Sequence, residues 1–222
     1  MQPLANLNIN DQKAKGLYAQ AKTSAEAQFA HEREQLTNKG NSISGASKGF
    51  ANPLQNVQKL GLTEGMQVAD LGAGSGHYVT AMANLVGSTG RVYAVDVQKE
   101  LLDNIQNEAT KRGYNNVEIV WGNLEKLGGA KIADNALDLA LISNTLFQVE
   151  DKEVLLNEAW RILKPDATLA IIDWSESYGG MGPIATDVIT KEKAVSLALA
   201  AGFTLVSEFE AGKNHYGIIL RK

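Results

Sequence analysis

The run Val68-Ala-Asp-Leu-Gly-Ala-Gly-Ser-Gly-His77 constrains the fold more than any other stretch of this 222-residue chain. An apolar strand ending in an acid turns through Gly72, Gly74 and Gly76 and then enters a helical pattern. Glycine has no Cβ, so closely spaced glycines let the backbone curl tightly and come close to a ligand. The helix that opens beyond them presents N–H groups that no helical carbonyl accepts. Strand, tight turn and helix in that order begin a unit whose next strand runs parallel to the first.

The remainder of the chain repeats that unit. Short runs rich in Val, Ile, Leu and Ala at 66–71, 91–96, 117–121, 136–142 and 167–173 read as strands covered on both faces. Helical patterns lie between them at about 75–86, 98–112 and 151–163, and another is expected over 190–201. Asn52-Pro53 has the cap and first position of a short helix, and Asp151 is placed to cap the helix after it. Two closing strand-like runs, 203–209 and 215–221, are joined by Ala211-Gly-Lys-Asn214, a hairpin in length and composition. The expected fold is therefore α/β: a doubly wound, Rossmann-like sheet closed by an antiparallel last strand. Residues 11–37 read as an exposed helix with a thin, Ala-rich apolar stripe, and 38–49 as a Gly/Ser/Asn hinge. The division expected is an N-terminal helical arm over 1–50, serving as a lid, and a folded body over 51–222.

Composition excludes several classes of function. With no cysteine there is no disulfide, thiolate metal site or cysteine nucleophile, and no metal is expected. A net charge of −4 counts against a protein that coats nucleic acid. No apolar run is long enough to span a bilayer, and the polar start lacks a signal peptide's apolar core, so the expected location is cytoplasmic.

In a doubly wound sheet, ligands sit outside the carboxyl ends of the strands. A glycine turn there suits a dinucleotide or S-adenosylmethionine. The dinucleotide fingerprint G-x-G-x-x-G would put its third glycine at 77, where this chain has His77. The pattern present is D-x-G-x-G-x-G, from Asp70 to Gly76. It resembles motif I of the class I S-adenosylmethionine-dependent methyltransferases. The strand order matches that family's seven-stranded fold, and the resemblance covers about residues 52–222. The chain is similar to small bacterial and archaeal proteins of the group that includes the ubiquinone and menaquinone C-methyltransferases. Met181-Gly-Pro183 and His215-Tyr-Gly217 resemble a subset of that group.

The resemblance implies S-adenosyl-L-methionine as cofactor, held by Asp70, Gly72, Ala73, Gly74 and Gly76. Asp96 ends the second strand, where a carboxylate can accept from both ribose hydroxyls. Val97 would lie against the adenine. Asn123 stands where methyltransferases often carry Asp, with the Leu124 N–H beside it, and Ser143 falls near the methionine portion. No catalytic base is assigned; His77, Asp173 and His215 are candidates. His77 is otherwise a first-turn helix residue and Asp173 a turn cap, and the His215 hairpin is otherwise remote from the methyl. Glu176, Asn144 and Phe147 are further candidates for touching the acceptor, whereas His31 falls in the N-terminal helix as a solvated residue. The Asn/Asp-Pro-Pro-Tyr signature of base and amide methylation is missing, since Ser143-Asn144-Thr145-Leu146 stands there. Arsenite is not expected as acceptor, because enzymes that methylate it rely on cysteines. The expected acceptor is a small molecule, with protein or RNA as the neighbouring option. A non-catalytic S-adenosylmethionine-binding protein and an NAD-dependent oxidoreductase are the readings from other classes. Gly179-Gly180-Met181-Gly182-Pro183 is expected to form a second mobile wall.

Overall fold

The computed structural model describes residues 51–178 and 182–222, together with Gly16 and Ala19, both helical. Apart from those two positions, the arm over 1–50, its hinge and His31 lie outside the described residues. So do Gly179, Gly180 and Met181 of the expected second wall.

Helix α1 (Pro53–Gln58) starts as the sequence predicts: Asn52 Oδ1 accepts the Gln55 N–H at 3.2 Å, and Pro occupies the first turn. The units that follow are β1 (Gln67–Leu71), α2 (His77–Val86), β2 (Arg91–Asp96), α3 (Lys99–Lys111) and β3 (Val117–Trp121). After them come β4 (Leu137–Ser143), α4 (Lys152–Ile162), β5 (Leu163–Trp174), α5 (Lys191–Ala200), β6 (Thr204–Gly212) and β7 (His215–Arg221). The strands form one seven-stranded sheet in the order β3-β2-β1-β4-β5-β7-β6. All adjacent pairs are parallel except those of β7, which runs antiparallel between β5 and β6. The order reverses between β1 and β4, which opens a crevice at their carboxyl ends.

Successive residues of a strand face opposite sides of the sheet, so each central strand feeds two apolar layers. On β4, Ala140 and Ile142 join Leu155, Ala159 and Val195 under α4 and α5. Leu139 and Leu141 join Met82, Val86 and Ile105 under α2 and α3. This double burial explains why the strands lack polar alternation.

The boundaries differ from expectation by more than one residue in three places. Helix α2 starts at His77 rather than 75, because Gly76 caps it in the left-handed region at φ +76. Strand β5 begins at Leu163, four residues early: Leu163 pairs with Leu137 before an irregularity, with Asp166 at φ +62, restores the register. Strand β6 runs on to Gly212, since bulges near Val206 and Ala211 absorb residues that would otherwise end the pairing. The hairpin turn shrinks to Lys213-Asn214, with Asn214 at φ +62. Strand β5 also continues one residue past Asp173, to Trp174, so Asp173 lies within the strand rather than capping a turn at its end, and is buried. Among the described residues, no helix is long and apolar enough to cross a membrane.

Candidate functional site

A cleft of about 420 Å³ opens at the carboxyl ends of β1, β2 and β3. Gly72, Gly74, Asp96, Val97, Asn123 and Leu124 line it, and Thr145, Gln148 and Val149 from the loop after β4 close its far side.

The glycines of the turn do different work. Gly72 has φ +88, and a Cβ there would stand 2.3 Å from Thr145 Oγ1, so this glycine lets the β4 loop pack down. A Cβ on Gly76 would collide with Ile105 of α3, at 2.6 Å from its Cγ1. Gly74 is the exception. It has φ +51, and a Cβ there would meet nothing closer than the Gly72 carbonyl oxygen at 4.0 Å. The space beside it is the cleft.

Asp96 is fixed from both sides. Its Oδ2 accepts the Gly74 N–H and its Oδ1 the Gln98 N–H, each at 2.9 Å. Each carboxylate oxygen retains lone-pair capacity, so the group is a rigid double acceptor at the rim of the cleft. Val97 beside it is 55% exposed, an apolar surface left open where a flat base could lie.

Asp70 is 1% exposed, and its Oδ1 has no hydrogen-bond partner among the described residues. Burial first, and then the Asp96 carboxylate, push its pKa well above the usual carboxylate range. Its other neighbour, Tyr78, is buried. The Tyr78 hydroxyl accepts from Asn56 Nδ2 at 3.0 Å and is hydrogen-bonded to the Ser143 side chain. Asn56 Nδ2 also donates to the Ala211 carbonyl at 2.8 Å, tying α1 to α2 and to β6. Two acids stand together here without a counter-cation among the described residues, which is the electrostatic complement of a ligand bearing positive charge. A sulfonium with an α-ammonium, a ribose diol and an adenine matches the acid pair, the double acceptor and the open apolar face. The residues present fit S-adenosylmethionine.

Of the residues expected to hold the cofactor, six meet in the cleft: Gly72, Gly74, Asp96, Val97, Asn123 and Leu124. Ala73 and Gly76 are buried in the turn, and Ser143 is spent on Tyr78. Asn123 Oδ1 accepts the Glu125 N–H at 2.9 Å, so its first task is to shape a turn. Gln98, Leu101, Glu125, Thr145, Gln148 and Val149 line the cleft and were not foreseen. Only Thr145 had a usable signal, a small β-branched residue just after the switch-point strand.

Among the candidate bases, His77 is exposed at the start of α2 and does not line the cleft. Asp173 is 1% exposed. Burial raises its pKa to about 7, against the opposing pull of the Trp174, Phe147 and Leu146 N–H groups and of Lys152. Its Oδ1 accepts the Trp174 N–H at 2.8 Å, while Oδ2 finds no partner among the described residues. Asn144, at φ +52, likewise leaves its Oδ1 buried and unpartnered. His215 is 5% exposed, and its ring packs 4.2 Å from that of Trp174. Glu176 is exposed.

Residues 62–215 match the family model described as a methyltransferase domain. The chain belongs to this family. A SAM-dependent methyltransferase from Aquifex aeolicus has the same fold, with a TM-score of 0.71 and 31% identity over 78% of this chain and 90% of that one. By fold and family the chain is a class I S-adenosylmethionine-dependent methyltransferase, related to the ubiquinone/menaquinone C-methyltransferases. The ubiquinone/menaquinone biosynthesis C-methyltransferase of Hahella chejuensis is 31% identical over 133 residues, 60% of this chain and 52% of that protein. The arsenite methyltransferase of Aquipseudomonas alcaligenes is 37% identical over 117 residues, 50% of this chain and 34% of that protein. The chain thus spans about a third to a half of the length of these curated relatives.

Proposed function

We propose that this methyltransferase moves the methyl group of S-adenosylmethionine to a small organic acceptor. The observation that carries the reading is Asp96, pinned by the Gly74 and Gln98 N–H groups at the rim of a cleft that Gly74 keeps open. The cofactor supplies an already activated methyl group, so the protein's part is orientation, which contributes several kcal/mol or more to such transfers. Asp96 holds the ribose through its two free lone-pair directions. Asp70 and Asp96 favour a cation beside them, and a cation arriving there favours ionised Asp70. Binding therefore releases a proton, and affinity declines as the pH falls through the raised range of Asp70.

An organic acceptor is supported by the relation to the quinone C-methyltransferases. Arsenite is not proposed: it is a soft thiophile, and the chain has no cysteine to ligate it. A cytoplasmic location is the compartment we propose, from a composition ordinary for a water-soluble protein.

The test uses methyl-labelled S-adenosylmethionine and a cell extract separated by size. Label entering the low-mass organic fraction, and lost with Asp96→Asn, supports the proposal. Label entering protein or RNA instead overturns the acceptor class, and no transfer to any fraction overturns the enzyme.

A further inference from the structure

A second cavity, of about 630 Å³, lies along the β6–β7 hairpin. The amino end of β7 lies at the same sheet edge as the carboxyl ends of the parallel strands, because β7 runs antiparallel to β5. Two of its lining residues, Asn214 and His215, each carry a buried polar atom without a partner among the described residues: Asn214 Nδ2 and His215 Nε2. The state of His215 follows from its neighbour. Nδ1 lies 3.0 Å from the Lys213 carbonyl oxygen, which can only accept, so Nδ1 carries the proton. Burial lowers the pKa of the ring and keeps it neutral. Nε2 is therefore a bare acceptor, held in place by Trp174, and Gly182 packs so closely over that indole that a Cβ would lie 2.4 Å from it. Lys191, Lys213, Glu208 and Glu210 also line the cavity, and their charges sum to zero.

We infer that this cavity is the acceptor subsite, in which His215 Nε2 and Asn214 Nδ2 together take a hydroxyl or N–H group of a neutral small molecule. The inference rests on the methyltransferase reading and deepens it. An acceptor on one residue and a donor on the next complement a group that both donates and accepts. Distance sets the role. β7 is two strand spacings from β4, about 10 Å, and the loop after β4 walls the cofactor cleft. His215 therefore anchors the end of the acceptor remote from the methylated atom, and the molecule is about as long as that gap.

The probe is para-phenylphenol, neutral, with one terminal O–H, compared with its methyl ether. Protein labelled with ¹⁵N-histidine contains three histidines, and His215→Phe assigns the relevant one. The expected result is an Nε2 shift of His215 with the phenol and none with the ether. His215→Phe should weaken phenol binding roughly tenfold, and His215→Gln, which keeps an acceptor, should restore part of it. Unchanged S-adenosylhomocysteine binding shows that the variants are folded. A phenol that leaves Nε2 unmoved, or that binds His215→Phe as well as the native chain, overturns the subsite. Failure of S-adenosylhomocysteine to bind the native chain overturns the methyltransferase reading instead.

Discussion

At the β1–β2 end of the sheet edge, the ligand-facing groups are mostly backbone: a turn kept free of side chains at Gly74, and N–H groups that aim Asp96. At the β5–β7 end the polar groups are side chains, in a sheet interrupted by one antiparallel strand. Asp173 and His215 are buried, and Asp173, Asn214 and His215 each keep an atom without a partner among the described residues. The first end serves a ligand of fixed shape, and a turn of fixed shape suffices. The second carries unpartnered polar atoms whose chemistry changes with each side chain. One fold can thus keep its cofactor while its acceptor varies.

The sharpest way to break this contrast is within the glycine turn. Gly72→Ala forces a methyl into Thr145 and a left-handed backbone onto Ala, at a cost of roughly 4 kcal/mol in stability. Denaturant unfolding measures it, and Thr145→Ala should recover part of the loss. Gly74→Ala carries only the backbone strain, about 1 kcal/mol, yet should lose cofactor affinity, because its methyl enters the cleft. Equal destabilisation by the two changes would mean that both glycines are structural.

The other end shows itself in pH. Asp173 is raised from 3.8 to about 7 in the folded chain, and Asp70 is raised as well. Between the unfolded and folded values the native state holds protons that the unfolded chain does not. The stability that Asp173 contributes therefore falls as pH rises from about 4 to 7, by on the order of 3 kcal/mol, and that contribution levels off above. Asp173→Asn should flatten most of that slope in melts taken across the range.

Asp96→Asn keeps one acceptor and loses the charge. Cofactor affinity should drop by about 2 kcal/mol, some 30-fold. Stability should drop by about 1 kcal/mol, because the amide NH2 cannot accept one of the two N–H groups that aim Asp96. The smallest effect tests the connection between the two ends. Asn56 donates to Tyr78 on one side and to Ala211 on the other. Asn56→Ala should cost about 1.5 kcal/mol, and a cycle with Tyr78→Phe should show coupling between them.

Legibility in the sequence divides along the same line. Asp70, the glycines and Asp96 sit at strand ends that hydrophobic runs mark plainly, so the turn and the acid ending β2 are legible in the sequence, whereas half of the residues lining the cleft are not. Thr145 could not be matched to Gly72, because the contact joins residues 73 apart. Nor does periodicity record that Asp173 would be enclosed by Leu146, Phe147 and Trp174, since their meeting depends on how β4 and β5 pair. The bulges that lengthen β6 leave no local signal either; they follow from fitting a longer strand to β7. The join Ala211-Gly-Lys-Asn214 has the composition of a turn, although Gly212 still pairs with His215.

The Asp96 cleft is the proposed site of S-adenosylmethionine. Titration calorimetry of the native chain and of Asp96→Asn with S-adenosylmethionine, S-adenosylhomocysteine and NADH tests it most directly. The first two should bind the native chain, both should weaken some 30-fold in the variant, and NADH should not bind. Binding of NADH alone, or equal binding of S-adenosylmethionine by both proteins, would contradict that assignment.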